Sequence, residues 1–200
     1  MKLFESLWSK LFPKKPIGEL KQIRSILTHS GRYFNFDEPE KSYIDIETIA
    51  HALSHICRFT GHVDNFYCVA QHCVLVSYLV PPEYAMEGLM HDAGEAYIGD
   101  VATPLKSMLS DYKAIEHRVE AAVLGHFGLP VIMHPSVKQG DLRALATEKR
   151  DLMPDAIDGL PWECIEGIEP HPNKIIPLAP EDAKNLFLAR YYELKMLKGI

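Results

Sequence analysis

Residues 89 to 100 read LMHDAGEAYIGD. The apolar positions suit a buried helix, yet the stretch carries His91, Asp92, Glu95 and Asp100. Burying so many ionisable groups is costly unless something binds them. On a helix, His91 and Glu95 are four residues apart and share a face. Asp92 lies about 100° round from His91, near enough for both to reach one ion held between packed helices. A His-Asp pair cannot fill a coordination shell, so other segments must contribute. His72 interrupts the apolar run VAQHCVLV, where a bare imidazole is poorly placed, and Asp141 stands in VKQGDLRALATE, which has an apolar side. The set His72, His91, Asp92 and Asp141 offers two imidazoles and two carboxylates. Such mixed ligation suits one first-row divalent ion, Mn²⁺, Co²⁺, Fe²⁺ or Zn²⁺, with positions left open for water and substrate.

The elements that must position these groups read as helices nearly throughout. In DIETIAHALSHICRF, Ile46, Ile49, Leu53 and Ile56 form one stripe, and Asp45 is placed to cap it. FYCVAQHCVLVSYLV has the β-branched content of a strand, but its length and its stop at Pro81-Pro82 favour a buried helix. Pro82 opens the next helix, which Gly99 breaks. DYKAIEHRVEAAVLGHF, PSVKQGDLRALATEKRDLM and EDAKNLFLARYYELKML supply three more. Between residues 154 and 180 six prolines indicate an ordered, irregular excursion. RYFNF and SYIDI flank a turn-like DEPE, which predicts a short N-terminal hairpin near 31 to 44. The expected fold class is all-α.

Two hundred residues suit one domain, expected over 29–200, after an extension over 1–28. In the extension, Leu3, Phe4, Leu7, Trp8, Leu11 and Phe12 recur at helical spacing among Lys2, Lys10, Lys14 and Lys15. That is an amphipathic helix for packing on the domain or on a neighbouring subunit; it lacks a signal peptide's apolar core. A net charge of -6 argues against nucleic acid as a partner, which needs a basic face, but leaves room for a local phosphate pocket. No apolar run reaches the ~20 residues of a membrane span. Cys57, Cys68, Cys73 and Cys164 form no C-x-x-C pair, which fits reduced thiols in a cytoplasmic protein. Cys73, next to His72, reads as a core residue pointing elsewhere. His51 and His55, four apart, read as polar lining.

A histidine, then an HD pair, then a distant aspartate resembles the HD-domain metal-dependent phosphohydrolases. HDAGEAYIGDVATPLK followed by DYKAIEHRVE is similar to the branch containing bacterial 5′-deoxynucleotidases. It is more similar still to small phage HD hydrolases, among them the phage dATP triphosphohydrolases. The resemblance runs from about Ser30 to Glu148 and more loosely to the C-terminus. It implies an HD-domain helical bundle with one divalent metal on His72, His91, Asp92 and Asp141. It also implies catalytic carboxylates at Glu95 and Asp100, one activating water and the other positioning substrate or protonating the leaving oxygen. Lys106 and Lys113 become candidate phosphate contacts. Arg58 and Phe59 stand where the deoxynucleotidases carry Arg-Trp near the nucleotide, and phenylalanine offers less area for stacking.

The activity so implied is hydrolysis of small-molecule nucleotides, chiefly deoxynucleotides, at the α-phosphorus. A dNTP triphosphohydrolase with dATP as first test is the leading expectation, with additional Mg²⁺ accompanying the triphosphate. A 5′-deoxynucleotidase acting on dNMPs is the alternative. A non-catalytic nucleotide-sensing module is a further one, against which the intact Glu95 and Asp100 argue. Family analogy also implies a homo-oligomer.

Overall fold

The computed structural model describes residues 24–197. Of the extension expected over 1–28, residues 1–23, with the amphipathic run Leu3 to Phe12, lie outside the described residues. Among those described, helices dominate and one two-stranded sheet is present, so the chain is mostly helical as its periodicity requires. The strands are β1 (Ser25–Leu27) and β2 (Tyr33–Asn35), paired antiparallel with Ile26 opposite Phe34. The hairpin therefore straddles residue 28, and its second partner is not SYIDI.

The reason for that difference is local. Pro39 starts a 3₁₀ turn over Pro39–Lys41, and Ser42 uses its Oγ to accept from the Asn35 N–H (2.9 Å). Asp45 then commits the next residues to helix α1 (Ile46–His55): its Oδ1 accepts from the Thr48 N–H (2.8 Å) and its Oδ2 from the Thr48 hydroxyl (2.7 Å). Asp45→Ala is expected to cost about 1 kcal/mol, the usual price of a lost N-cap, read as a lower melting temperature with activity retained.

Helix α2 (Val69–Leu79) is buried along most of its length, at Val69, Ala70, His72, Cys73, Val74, Val76 and Ser77. Val80 is extended before Pro81, as a residue preceding proline should be. A 3₁₀ turn at Pro82–Tyr84 leads into α3 (Ala85–Met90), and α4 (Glu95–Ile98) follows. Then come α5 (Thr103–Lys106), α6 (Ser110–His126), α7 (Pro135–Leu152) and α8 (Pro180–Leu197). α2 packs on α1, α3, α7 and α8, so the segment bearing His72 is the centre of the bundle. Fully buried Ile49, Leu53, Val69, Val76, Leu89, Met90, Val119, Val123 and Phe187 knit the core together. Gly140 lets α7 approach α2 closely: a Cβ there would lie 2.8 Å from a Val80 methyl.

The helix expected from Pro82 to Gly99 is interrupted at HDAG. Backbone bonds there run three residues back, from Ala93 to Met90, Glu95 to Asp92 and Tyr97 to Gly94. The coil is thus tightened toward three residues per turn, which aligns positions three apart. Gly94 permits this beside α6, since a Cβ on it would meet Glu120 at 3.3 Å. The hairpin packs onto the same segment, with Phe34 stacked on Tyr97 at 3.9 Å.

The excursion between α7 and α8 is irregular and ordered by polar ties. Arg150 donates to the His171 and Asn173 carbonyls, and Asp151 accepts from the Ile175 N–H. Gln71, beside His72, donates to the Ile176 carbonyl and accepts from the Leu178 N–H.

Candidate metal centre

His72 from α2, His91 and Asp92 from the turn after α3, and Asp141 from α7 converge. His72 Nε2 lies 3.3 Å from His91 Nε2, 3.6 Å from Asp92 Oδ2 and 3.4 Å from Asp141 Oδ1. His91 Nε2 lies 3.2 Å from Asp92 Oδ2 and 4.0 Å from Asp141 Oδ1. Ligands each ~2.1 Å from one ion, at angles from 90° to 180°, sit roughly 3.0 to 4.2 Å apart. Every separation above falls in that range, so His72, His91 and Asp141 form a group able to hold a metal ion, and Asp92 lies within the same reach of both imidazoles.

The hydrogen bonds behind the rings fit the same assignment. His91 Nδ1 lies 2.9 Å from the Gly88 carbonyl, which only accepts, so Nδ1 carries the proton. His72 Nδ1 donates in the same way to Glu148 Oε1 at 2.6 Å. Both Nε2 atoms then face one another, an arrangement that needs a cation or an added proton between them. Burial pushes both imidazoles down, but the carboxylates around them win and raise their affinity for a proton. Burial pushes Asp92 up, yet the charge on His91 holds it well below the usual carboxylate range; Asp141 is held low in the same way by His72. His72 is fully buried, whereas the Asp92 and Asp141 side chains are each 23% exposed. The centre therefore opens toward solvent on its carboxylate side.

Glu95 and Asp100 stand beside it. The tightened turn aligns Glu95 with Asp92, three residues back, and not with His91 as an ideal helix would. Glu95 is 9% exposed and its Oε2 is buried without a hydrogen-bond partner. Burial, then the charges of Asp92 and Asp100, raise its pKa well above the usual value. Burial also raises Asp100, against the pull of Arg58.

Of the expected substrate contacts, Arg58 is drawn into the centre itself. Its guanidinium lies 3.1 Å from Glu148, 3.8 Å from Asp92 and 3.9 Å from Asp100. Phe59 is half-buried next to it. Lys106 is committed to Glu116 at 2.6 Å. Lys113 is exposed on α6, with no ion pair among the described residues.

The chain is 48% identical to "Uncharacterized protein YfdR" of Escherichia coli K12, across 86% of this chain and 97% of that protein. The chain belongs to the YfdR family. An uncharacterized protein of Rhodobacter capsulatus is 31% identical across 82% of this chain and 92% of its own length. No family model matches the chain.

In this YfdR-family chain, sequence reasoning missed Glu148. It is fully buried and accepts from both His72 and Arg58. Burial would raise its pKa, but the Arg58 and His72 charges hold it at about 2. A signal existed: Glu148 is two helical turns from Asp141 on α7 and so shares its face. Cys73 is a core residue as expected, but its sulfur also falls within 4.8 Å of ligand atoms of His91 and Asp92. Burial pushes that thiol up to about 11, so it is kept neutral. All four cysteines are free. His51 stacks on His29 at 3.6 Å and neighbours His55, apart from the metal-binding groups.

Proposed function

We propose that this chain is an HD-domain phosphohydrolase that cleaves nucleotides, chiefly deoxynucleotides, at the α-phosphorus. The observation that carries this reading is the buried, unpartnered Glu95 oxygen beside a metal-binding group that opens toward solvent. Phosphate-ester hydrolysis needs an activated water and neutralised phosphoryl oxygens, and a divalent ion, which His72, His91, Asp92 and Asp141 would hold, would supply both. Glu95, whose Oε2 has no partner beside the centre, takes the proton of the attacking water. Asp100, held by Arg58, positions the substrate and returns a proton to the leaving oxygen. Arg58 offers its remaining N–H groups to the phosphate while anchored by Glu148.

The pairing of two nearby cations with carboxylates supports the alternative, a nucleoside monophosphate. A triphosphate needs further positive charge for its outer phosphates; Arg58 and Lys106 are already paired with carboxylates, which leaves Lys113 among the described candidates. The dNTP triphosphohydrolase reading, with dATP first and Mg²⁺ accompanying it, rests on the resemblance to the phage enzymes.

Incubation with dNMPs, dNTPs, NTPs and cyclic nucleotides, with Mn²⁺, Co²⁺ or Mg²⁺ and products identified by mass, decides. Nucleoside plus phosphate from a dNMP supports the first reading, and nucleoside plus triphosphate the second. No product from any of them leaves the nucleotide-sensing reading. Glu95→Gln and Asp100→Asn are each expected to slow turnover by roughly 100-fold or more, with metal content unchanged. Normal turnover in either variant removes that residue from the chemistry.

A further inference from the structure

An aromatic pair beside the metal centre has no part in the hydrolytic chemistry. The Arg58 guanidinium that reaches Asp92 at 3.8 Å lies 5.3 Å from the centroid of the Phe59 ring. The Phe59 ring is in turn 5.9 Å from the ring of Trp162, inclined at 45°. Trp162 comes from the proline-rich excursion, just ahead of the 3₁₀ turn Glu163–Ile165. Both rings are half-buried, and neither belongs to the hydrophobic core.

We propose that Phe59 and Trp162 form the base-binding corner of the site, and that Trp162 makes it select a purine nucleotide. This rests on the nucleotide reading above. One guanidinium separates the corner from the carboxylates, so a phosphate at Arg58 places the rest of a nucleotide toward the rings. A purine's two fused rings can cover both inclined faces, whereas a pyrimidine covers one.

Two further observations indicate a built site. Phe59 and Thr60 both adopt left-handed backbone, at φ 55° and 54°, where bulky and β-branched residues are rare. The loop is held there by an antiparallel backbone pairing of residue 57 with residue 68, by Arg58 N–H to the Tyr67 carbonyl, and by His62 N–H to the Phe59 carbonyl. Such strain concentrates at ligand-binding positions. The Lys149 ammonium lies 5.5 Å over the indole, on the helix that also carries Glu148 and Asp141. That cation–π contact fixes the indole relative to the metal-bearing helix.

The chain's other tryptophan is Trp8, so a W8F/E95Q variant leaves Trp162 as the single indole and consumes bound nucleotide far more slowly. Titration with dAMP or dATP is expected to quench its fluorescence saturably, and dCMP or dTMP to do so weakly. With Glu95 intact, Trp162→Ala is expected to raise KM for the purine substrate roughly tenfold, the scale of one base–aromatic stack, with kcat nearly unchanged. KM for a pyrimidine should move little, and Trp162→Phe should fall between, which guards against a folding defect. The proposal is overturned if no nucleotide quenches Trp162, if W162A leaves the purine KM unchanged, or if it raises KM equally for both bases. Quenching without turnover in the Glu95-intact chain would instead keep the corner and remove the hydrolase reading.

Discussion

Glu148→Ala is expected to lower stability by about 3–5 kcal/mol, the cost of stripping the partner from a buried charge. Glu148 is fully buried and is the carboxylate closest to the Arg58 guanidinium, at 3.1 Å. Its loss leaves Arg58, also buried, facing only the longer contacts to Asp92 and Asp100. A drop of that size in a domain this long is roughly 6–20 °C in melting temperature. The same substitution frees the His72 ring, whose Nδ1 proton Glu148 accepts. Loss of such an orienting partner weakens metal binding by about 10–100-fold. Glu148→Gln keeps the shape and one acceptor, so its effects should be smaller on both counts. The linkage sign is set by the low Glu148 pKa: its stabilisation is fully present above the ordinary carboxylate pKa and fades as pH falls toward about 2. Thermal melts with metal titration check all of this. An unchanged melting temperature in E148A would remove Glu148 from any structural role.

Asp141→Ala is expected to separate metal binding from folding. Asp141 lies 3.4 Å from His72 Nε2 and 4.0 Å from His91 Nε2, and it is the group's member on α7. Its side chain is 23% exposed, so truncation leaves no large buried void. The metal-free variant should therefore melt close to the metal-free wild type. The difference appears on adding metal. At about 100 times its Kd, a ligand stabilises the native state by ~2.7 kcal/mol, or roughly 5–11 °C here. D141A should show little of that rise and lose turnover with it. Absence of the rise in the wild type, with Mn²⁺, Co²⁺, Fe²⁺ and Zn²⁺ each tried, would count against the metal centre itself.

The two substitutions probe opposite sides of one histidine. Glu148 holds His72 from the dry interior, and Asp141 meets it on the side open to solvent. E148A should destabilise with or without metal, whereas D141A should act chiefly through metal. That contrast separates a supporting partner from a ligand.

The sequence by itself determined the mostly helical character and marked the four candidate ligands. Both are written in short-range patterns: apolar residues at helical spacing, and an HD pair inside an apolar stretch. The Asp45 cap and the break at Gly99 are equally local, and both appear in the structure. Tertiary structure decided what depends on residues distant in the chain. β2 pairs with Ser25–Leu27 instead of residues 42–46, because Asp45 and Pro39 claim the latter for turns and helix. The tightened HDAG turn, made beside α6 where Gly94 leaves room, aligns Glu95 with Asp92. Arg58 and Glu148 reach the centre from a strained loop and a helix end, and Trp162 meets Phe59 from a proline-rich excursion. Such meetings depend on how helices cross and how loops are tied, and burial sets the charge state of what meets. Neither is encoded in the spacing of neighbouring residues.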